Sequence, residues 1–515
     1  MLAPKDLFKY EKSMKTYEEL AKTAKTDLQK NMWKWFVALT EIPRGSGNTK
    51  GVADWLVETG KKIGCEVQKD KTGNVLLRKA GTKGLEELDG IVLQSHMDMV
   101  CTKEADFDFD FLKQPIDVLI EGEWVTANKT TLGADDGSGL AVSLALLEMD
   151  FPHPPLEALV TTDEEIGLIG ACDLVDGELL KKNSKYLVNI DSEDWGEIAM
   201  SCAGGAMRLV NLPMIKAKIP EGYVEIEMKI KKLYGGHTGI DIQLGRGNAI
   251  KWAMRMLLDN KVTKTGTPIR LISFEGGNAH NAIPSHANVT FCTPKEKADE
   301  MIAAMKHLGD VLKGKHDFIE KSPEIELVKK ELTATEALTD VNTLSILHAI
   351  EAIHHGVFKW SNDVDNLVET SQSLSVAKMV DNEMVIEVFI RTNSTDEMME
   401  ACHKMLEGIA TIHGGKVVRK GTDFSGWPAE PNSHLLTTAK NVYHEMFKKD
   451  AKLAYFHAGL ECGIIINKFP ENQMQAISIG PTVKNPHTTS EMMIIQTAND
   501  LCDFTQEIIV HLSKK

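Results

Sequence analysis

No stretch of about 18 uninterrupted apolar residues occurs in the chain, so no segment reads as a bilayer-spanning helix and no membrane partner is expected. Cys-x-x-Cys pairs are also missing. The eight cysteines are scattered singly, which disfavours zinc ribbons and disulfide scaffolds and fits reduced thiols in the cytosol. Excess positive charge is lacking: the net charge is −16, which makes nucleic acid an improbable partner, because phosphate-backbone binding needs clustered Lys and Arg. The first residues, Met1-Leu2-Ala3-Pro4-Lys5-Asp6, lead into no apolar core with a small-residue cleavage site, so the chain is read as cytoplasmic.

What is present is an ordinary globular composition, 43% hydrophobic and 26% charged, over 515 residues. That length exceeds the roughly 250–300 residues at which one core stops growing, so two or more domains are expected. Residues 1–30 read as a lysine-rich helical extension, and 31–205 as the first part of an α/β domain in which strand-like and helix-like runs alternate. From 206 to 418 the texture changes to longer alternating runs such as Val224-Glu225-Ile226-Glu227-Met228-Lys229-Ile230, which read as half-exposed antiparallel strands. Helix-like segments at 246–258, 295–313, 341–354 and 395–412 make this an α+β insertion with two loosely similar strand-helix units. The α/β texture returns over 419–515.

The run Ile91-Val92-Leu93-Gln94-Ser95-His96-Met97-Asp98 reads as a buried strand delivering His96 and Asp98 to the same side of its carboxyl end. Taken alone it is equally the signature of a satisfied structural pair. Three further stretches carry metal-competent groups: Gly133-Ala134-Asp135-Asp136-Gly137, Thr162-Asp163-Glu164-Glu165, and Gly480-Pro481 followed by His487; Asp191 ends another strand. Each singly allows an unremarkable reading as a turn aspartate, a solvated helix start or a surface histidine. In open α/β sheets, however, ligands gather at the carboxyl ends of strands, where separated acids can converge.

Taken in order, these motifs resemble the di-zinc metallopeptidases of clan MH, and most closely the aminoacyl-histidine (Xaa-His) or cytosol non-specific dipeptidases. His457-Ala458-Gly459-Leu460-Glu461-Cys462-Gly463 and Cys202-Ala203-Gly204-Gly205 carry the likeness further, and it runs from about residue 30 to the carboxyl terminus. The resemblance implies a mixed-sheet catalytic domain with an inserted lid, and two Zn²⁺ ions bridged by Asp135. His96 and Asp191 would complete one site, and Glu165 and His487 the other; Mn²⁺ or Co²⁺ suits the same ligands. It also implies a dipeptide substrate cleaved by a metal-activated water, with Glu164 as general base, Asp98 orienting His96, and His237 facing the oxyanion. Asn281, Arg391 and His457 would contact substrate. Asp136 departs from the family pattern, where asparagine is common, and the Asp135–Asp136 bond is expected to be cis. A homodimer through the lid is one implied assembly. N-acyl-amino-acid deacylation, or metal binding without catalysis, are the alternative functions.

Overall fold

The computed structural model describes residues 2–259, 267–362, 364–394 and 396–514. The chain divides into two compact units, one comprising Met1–Cys202, Trp427–Tyr455 and Leu460–Lys515, the other Ala203–Gly426 and Phe456–Gly459. The divisions drawn from sequence at 206 and 418 thus shift to 203 and 426, and the excursion of Phe456–Gly459 has no marker in composition. Residues 1–30 are no separate extension: the helix Glu11–Ala21 turns Leu20 into the core of the first unit, where it has no accessible surface.

In the first unit, eight strands form one sheet in the order Glu66–Lys69, Val75–Lys79, Leu156–Thr161, Gly90–His96, Ser184–Asn189, Gln475–Ser478, Glu197–Cys202 and Lys452–Phe456. Leu156–Thr161, Gly90–His96, Ser184–Asn189 and Gln475–Ser478 run parallel, and antiparallel strands flank them. Gly90–His96 is buried along its whole length, as a central parallel strand covered on both faces must be. The helix Asp27–Thr40 covers part of this core with Trp33, Trp35 and Phe36; its first turn is capped by Thr26, whose hydroxyl accepts from the Gln29 N–H at 3.1 Å. Val118–Glu121 and Trp124–Ala127 form an antiparallel hairpin.

The second unit is built on a nine-stranded antiparallel sheet. Tyr223–Lys231 alternates buried and half-buried residues along its length, as the sequence pattern requires of a strand covered on one face. The loosely similar strand-helix series resolves into two β-α-β-β-α-β groups. One uses strands Tyr223–Lys231, Arg270–Gly276, Ala287–Pro294 and Glu324–Lys330 with helices Ala249–Leu258 and Lys295–His316. The other uses Gly204–Pro213, Val368–Val380, Glu383–Thr392 and Lys416–Phe424 with helices Asp340–Ala352 and Asp396–Ile412. Within each group the strands lie in the order fourth, first, third, second, and the two second strands pair with one another at Glu275–Lys378 and Gly276–Ala377. The first group is inserted between the first strand and first helix of the second. Among the described residues no helix is long and apolar enough to cross a membrane.

Candidate metal centre and anion-binding corner

All five expected ligands lie in the first unit, and four of them follow the carboxyl ends of the parallel strands. His96 ends one strand; Glu165 and Asp191 follow the ends of its two neighbours, and His487 lies beyond the end of Gln475–Ser478, one strand further out. Asp135 comes instead from the start of the helix Ala134–Glu148, where Asp135 and Asp136 are non-helical and the peptide bond between them is cis, as the sequence resemblance implied. Gly133 precedes them at φ +71°, and a Cβ there would stand 2.5 Å from the Arg44 guanidinium, so both conformation and space require glycine.

The two oxygens of Asp135 face different partners. Oδ1 lies 3.0 Å from His96 Nε2, which is itself 3.4 Å from Asp191 Oδ1. Oδ2 lies 3.0 Å from His487 Nε2, which is 3.0 Å from Glu165 Oε1. Ligand atoms of His96, Asp135 and Glu165 all fall within 4.8 Å of one another, a spacing that could hold a metal ion. The donor set therefore divides into two groups sharing one carboxylate.

Electrostatics show what the cluster lacks without a cation. Burial opposes charge on His96, yet Asp191, Asp135 and Asp98 hold its ring well above the ordinary imidazole range. Hydrogen bonds to Asp135 and Glu165 raise His487 to about 11. Burial raises Asp191 to about 6, and burial together with nearby carboxylates pushes Glu164 well above the usual range. The carboxylates thus draw the imidazoles into the role of cations, and a divalent ion satisfies the same attraction with neutral imidazole ligands.

Asp98 does more than its expected part. Its Oδ1 lies 3.4 Å from His96 Nδ1, and it also accepts from the Glu164 N–H at 3.0 Å, the Glu165 N–H at 3.3 Å and the Ser46 hydroxyl at 2.8 Å. Burial opposes its charge, but these donors, His96 foremost, hold it at about 2. One carboxylate therefore fixes a ligand ring and the backbone of both glutamates.

Three supporting residues escaped the sequence reading. Glu491 accepts from the backbone N–H groups of Leu132, Gly133 and Ala134 at 2.8–3.0 Å, holding the turn that presents Asp135. Arg44, 2% exposed, donates to the carbonyls of Met97, Asp98 and Gly133. Glu461 is fully buried and accepts from Gln94 Nε2 and Thr161 Oγ1, tying two adjacent ligand-bearing strands; burial pushes it up to about 7. Asp136 accounts for its own departure from the family pattern: its two oxygens accept from the His96 and Gly139 N–H groups, which one amide oxygen could not do in the same way.

The second unit assembles His237, Asn281, Arg391 and His457. Nδ1 of His237 accepts from the N–H groups of Gly239 and Ile240 at 3.2 Å, which puts the ring proton on Nε2. That Nε2 lies 3.3 Å from Arg391 Nη2, so two donors converge with no acceptor between them. Arg391 is 4% exposed and lies over the Phe389 ring at 4.5 Å. Its hydrogen-bond partner is the Thr238 hydroxyl, with no carboxylate among the described residues, and burial lowers it to about 9. Such a buried, uncompensated guanidinium is suited to an incoming carboxylate. Asn281 is exposed, and its carbonyl accepts from the Thr238 N–H at 2.9 Å. His457 has both ring nitrogens engaged, Nδ1 with Asn393 at 2.8 Å and Nε2 with the Ser371 hydroxyl at 2.7 Å; this leaves no ring nitrogen for substrate and gives the ring a supporting place. A Cβ on Gly239 would lie 2.1 Å from the His457 carbonyl, so this close approach depends on glycine.

These two histidines set an acid limit on stability. Burial, then the charge of Arg391, lowers His237 to about 4; burial, Arg391 and His237 lower His457 to about 3. In an unfolded chain histidine titrates near about 6.5, so below that pH the unfolded state binds more protons. The stability they contribute is complete above that value and is lost as pH falls through the folded-state values. Denaturation midpoints should drop between about pH 7 and 5, and drop less steeply in His457→Gln; equal slopes in the two proteins would contradict this assignment.

Comparison with known proteins places these observations among peptidases. The peptidase dimerisation domain family matches residues 229–317. The chain is 34% identical over 486 residues to the cytosol non-specific dipeptidase of Escherichia coli (strain K12), covering 94% of this chain and 98% of that one. The crystal structure of aminoacylhistidine dipeptidase from Vibrio alginolyticus superposes with a TM-score of 0.83 at 33% identity, covering 96% of this chain and 98% of that one. A tripeptidase from Staphylococcus aureus shares the fold, with a TM-score of 0.53 at 18% identity.

Proposed function

We propose a two-metal, base-assisted mechanism for this chain, which belongs to the cytosol non-specific (aminoacylhistidine) dipeptidase family and is a metal-dependent dipeptidase. The carrying observation is the division of Asp135: Oδ1 faces His96 and Asp191, Oδ2 faces His487 and Glu165. Imidazole and carboxylate donors in this ratio fit two Zn²⁺, and accept Mn²⁺ or Co²⁺. Divalent cations held there would supply Lewis acidity towards the peptide carbonyl and would acidify water near neutral pH.

The chain's own residues would do the rest. Glu164 stands beside a ligand but outside both ligand groups, and its raised basicity suits it to take the proton of the attacking water and pass it to the amine as the C–N bond breaks. Asp98 would keep His96 and both glutamates in register. The Nε2–H of His237 would donate to an oxygen that gains charge in the transition state, and Arg391 would hold the free carboxylate of the dipeptide. Asn281 would contact substrate beside them, and His457 would hold Ser371 and Asn393 in place.

Arg391→Ala should therefore lower kcat/KM by about 10- to 150-fold, mainly through KM, since a hydrogen bond to a charged group contributes about 1.5–3 kcal/mol. Metal content should be unchanged. A dipeptide amide, lacking the carboxylate, should lose little further. An equal loss on the amide would remove Arg391 from this role.

The name of the Escherichia coli relative places that protein in the cytosol, and we propose the same compartment here. The dimerisation-domain match supports pairing of two chains through the second unit. The substrate assignment is tested by assaying β-alanyl-histidine, other dipeptides, tripeptides and N-acetyl amino acids side by side. Dipeptides should turn over fastest; preference for N-acetyl amino acids would make the chain a deacylase.

A further inference from the structure

The second unit contains a cavity of about 370 Å³ that the dipeptidase reading does not use. Its volume suits a small ligand, at the lower end of the roughly 300–1,000 Å³ usual for such pockets. Arg246, Lys251, Arg255, His316, His354 and His355 line it, with Glu351 as the single acid. Arg246 is paired with Asp241 at 3.0 Å, while Arg255 at 3.4 Å and Lys251 at 3.9 Å share the one carboxylate of Glu351. The Lys251 ammonium is held at the wall by the carbonyls of Ile350, Glu351 and Ile353 at 2.5–2.8 Å, which satisfy its hydrogens but do not cancel its charge.

The lining also contains atoms waiting for a partner. His354 Nε2 and His355 Nδ1 are buried without a hydrogen bond, an unfavourable state that a bound acceptor would relieve. Burial lowers both rings, His355 to about 3, so each is neutral and can supply an N–H donor. Glu351 Oε2 is an unpartnered acceptor in the same lining, but three cationic side chains, Arg246, Lys251 and Arg255, face that single carboxylate, and the balance favours a group rich in anionic oxygens. The rings of Trp252 and His316, with centroids 5.4 Å apart, add an aromatic wall.

We propose that this cavity binds a phosphate group, free or carried on a small metabolite. Its occupancy is connected to the substrate-binding turn through Arg246. That guanidinium donates to the Gly235 carbonyl at 2.8 Å and pairs with Asp241, whose Oδ2 accepts from the His237 N–H at 2.8 Å. An anion that draws on Arg246 competes with both contacts.

Calorimetric titration of the metal-loaded enzyme with inorganic phosphate and with phenyl phosphate tests the proposal. Saturable binding at about 1 mM or tighter is expected, weakened at least about 10-fold in Arg255→Ala and retained in Arg391→Ala. Arg255 is exposed and outside the catalytic groups, so dipeptide hydrolysis in Arg255→Ala should be unchanged and reports that the variant is folded. Hydrogen exchange at amides 236–241 should change on adding phosphate to the wild type and not to Arg255→Ala. Tighter binding of phenyl phosphate would identify a metabolite-borne group, and tighter binding of inorganic phosphate a free one. Absence of saturable binding, or binding that survives Arg255→Ala but disappears in Arg391→Ala or on metal removal, would overturn the proposal.

Discussion

Glu164→Gln should reduce turnover by about 10²- to 10⁴-fold, the range attributed to a positioned general base, while the metal content stays at the wild-type value. The substitution keeps size and polarity but cannot accept the proton. The adjacent Glu165→Gln should behave differently, because Glu165 Oε1 faces His487 at 3.0 Å within one ligand group. It should lose part of the bound metal and regain activity as metal is raised. Asp98 accepts from the backbone N–H of both glutamates, and Glu164 differs in that its carboxylate pairs with no imidazole among the described residues. Metal loss in Glu164→Gln with retention in Glu165→Gln would reverse the two roles; near-normal turnover in Glu164→Gln would remove the base from the mechanism.

The second large effect is expected at Asp135. Both ligand groups depend on this one side chain, so Asp135→Asn should release metal from both and bring hydrolysis down to that of chelated enzyme. Glu491→Gln acts one step further out, on the turn 132–134, and should weaken metal affinity by only about 10- to 100-fold, as is usual for groups that orient ligands. Competition with a chromophoric chelator measures both. Loss of a single metal in Asp135→Asn, with the second bound as in wild type, would show that Asp135 does not bridge.

The proposed ligands were legible through the family resemblance, since local pattern alone left each of them with an ordinary structural reading. An apolar run announces the strand before His96, and glycines bracket Asp135. The anchors were not legible. Arg44 and Glu491 are single charged residues whose partners are backbone groups distant in sequence, and nothing in their neighbours distinguishes them from surface charges. His457 sits in a motif that carries the family likeness, but only the fold shows that both its nitrogens are already engaged. In the second unit the helix-like segments were located to within a few residues, but most strands, Arg270–Gly276 and Ala287–Pro294 among them, were not. The interleaving of the two strand-helix groups could not be read, because their residues share no pattern and only strand pairing reveals that one lies within the other. The segment Met492–Ile494 is a short apolar run that fits either period, and its pairing with Trp124–Ala127 makes it a strand.

The central claim is that hydrolysis requires two cations sharing Asp135. Enzyme stripped of metal and then titrated with Zn²⁺, with β-alanyl-histidine hydrolysis followed at each addition, tests it most directly. No activity is expected without metal, with a rise that saturates at two equivalents per chain; full activity in the stripped protein, or saturation at one equivalent, would show that two shared cations are not required.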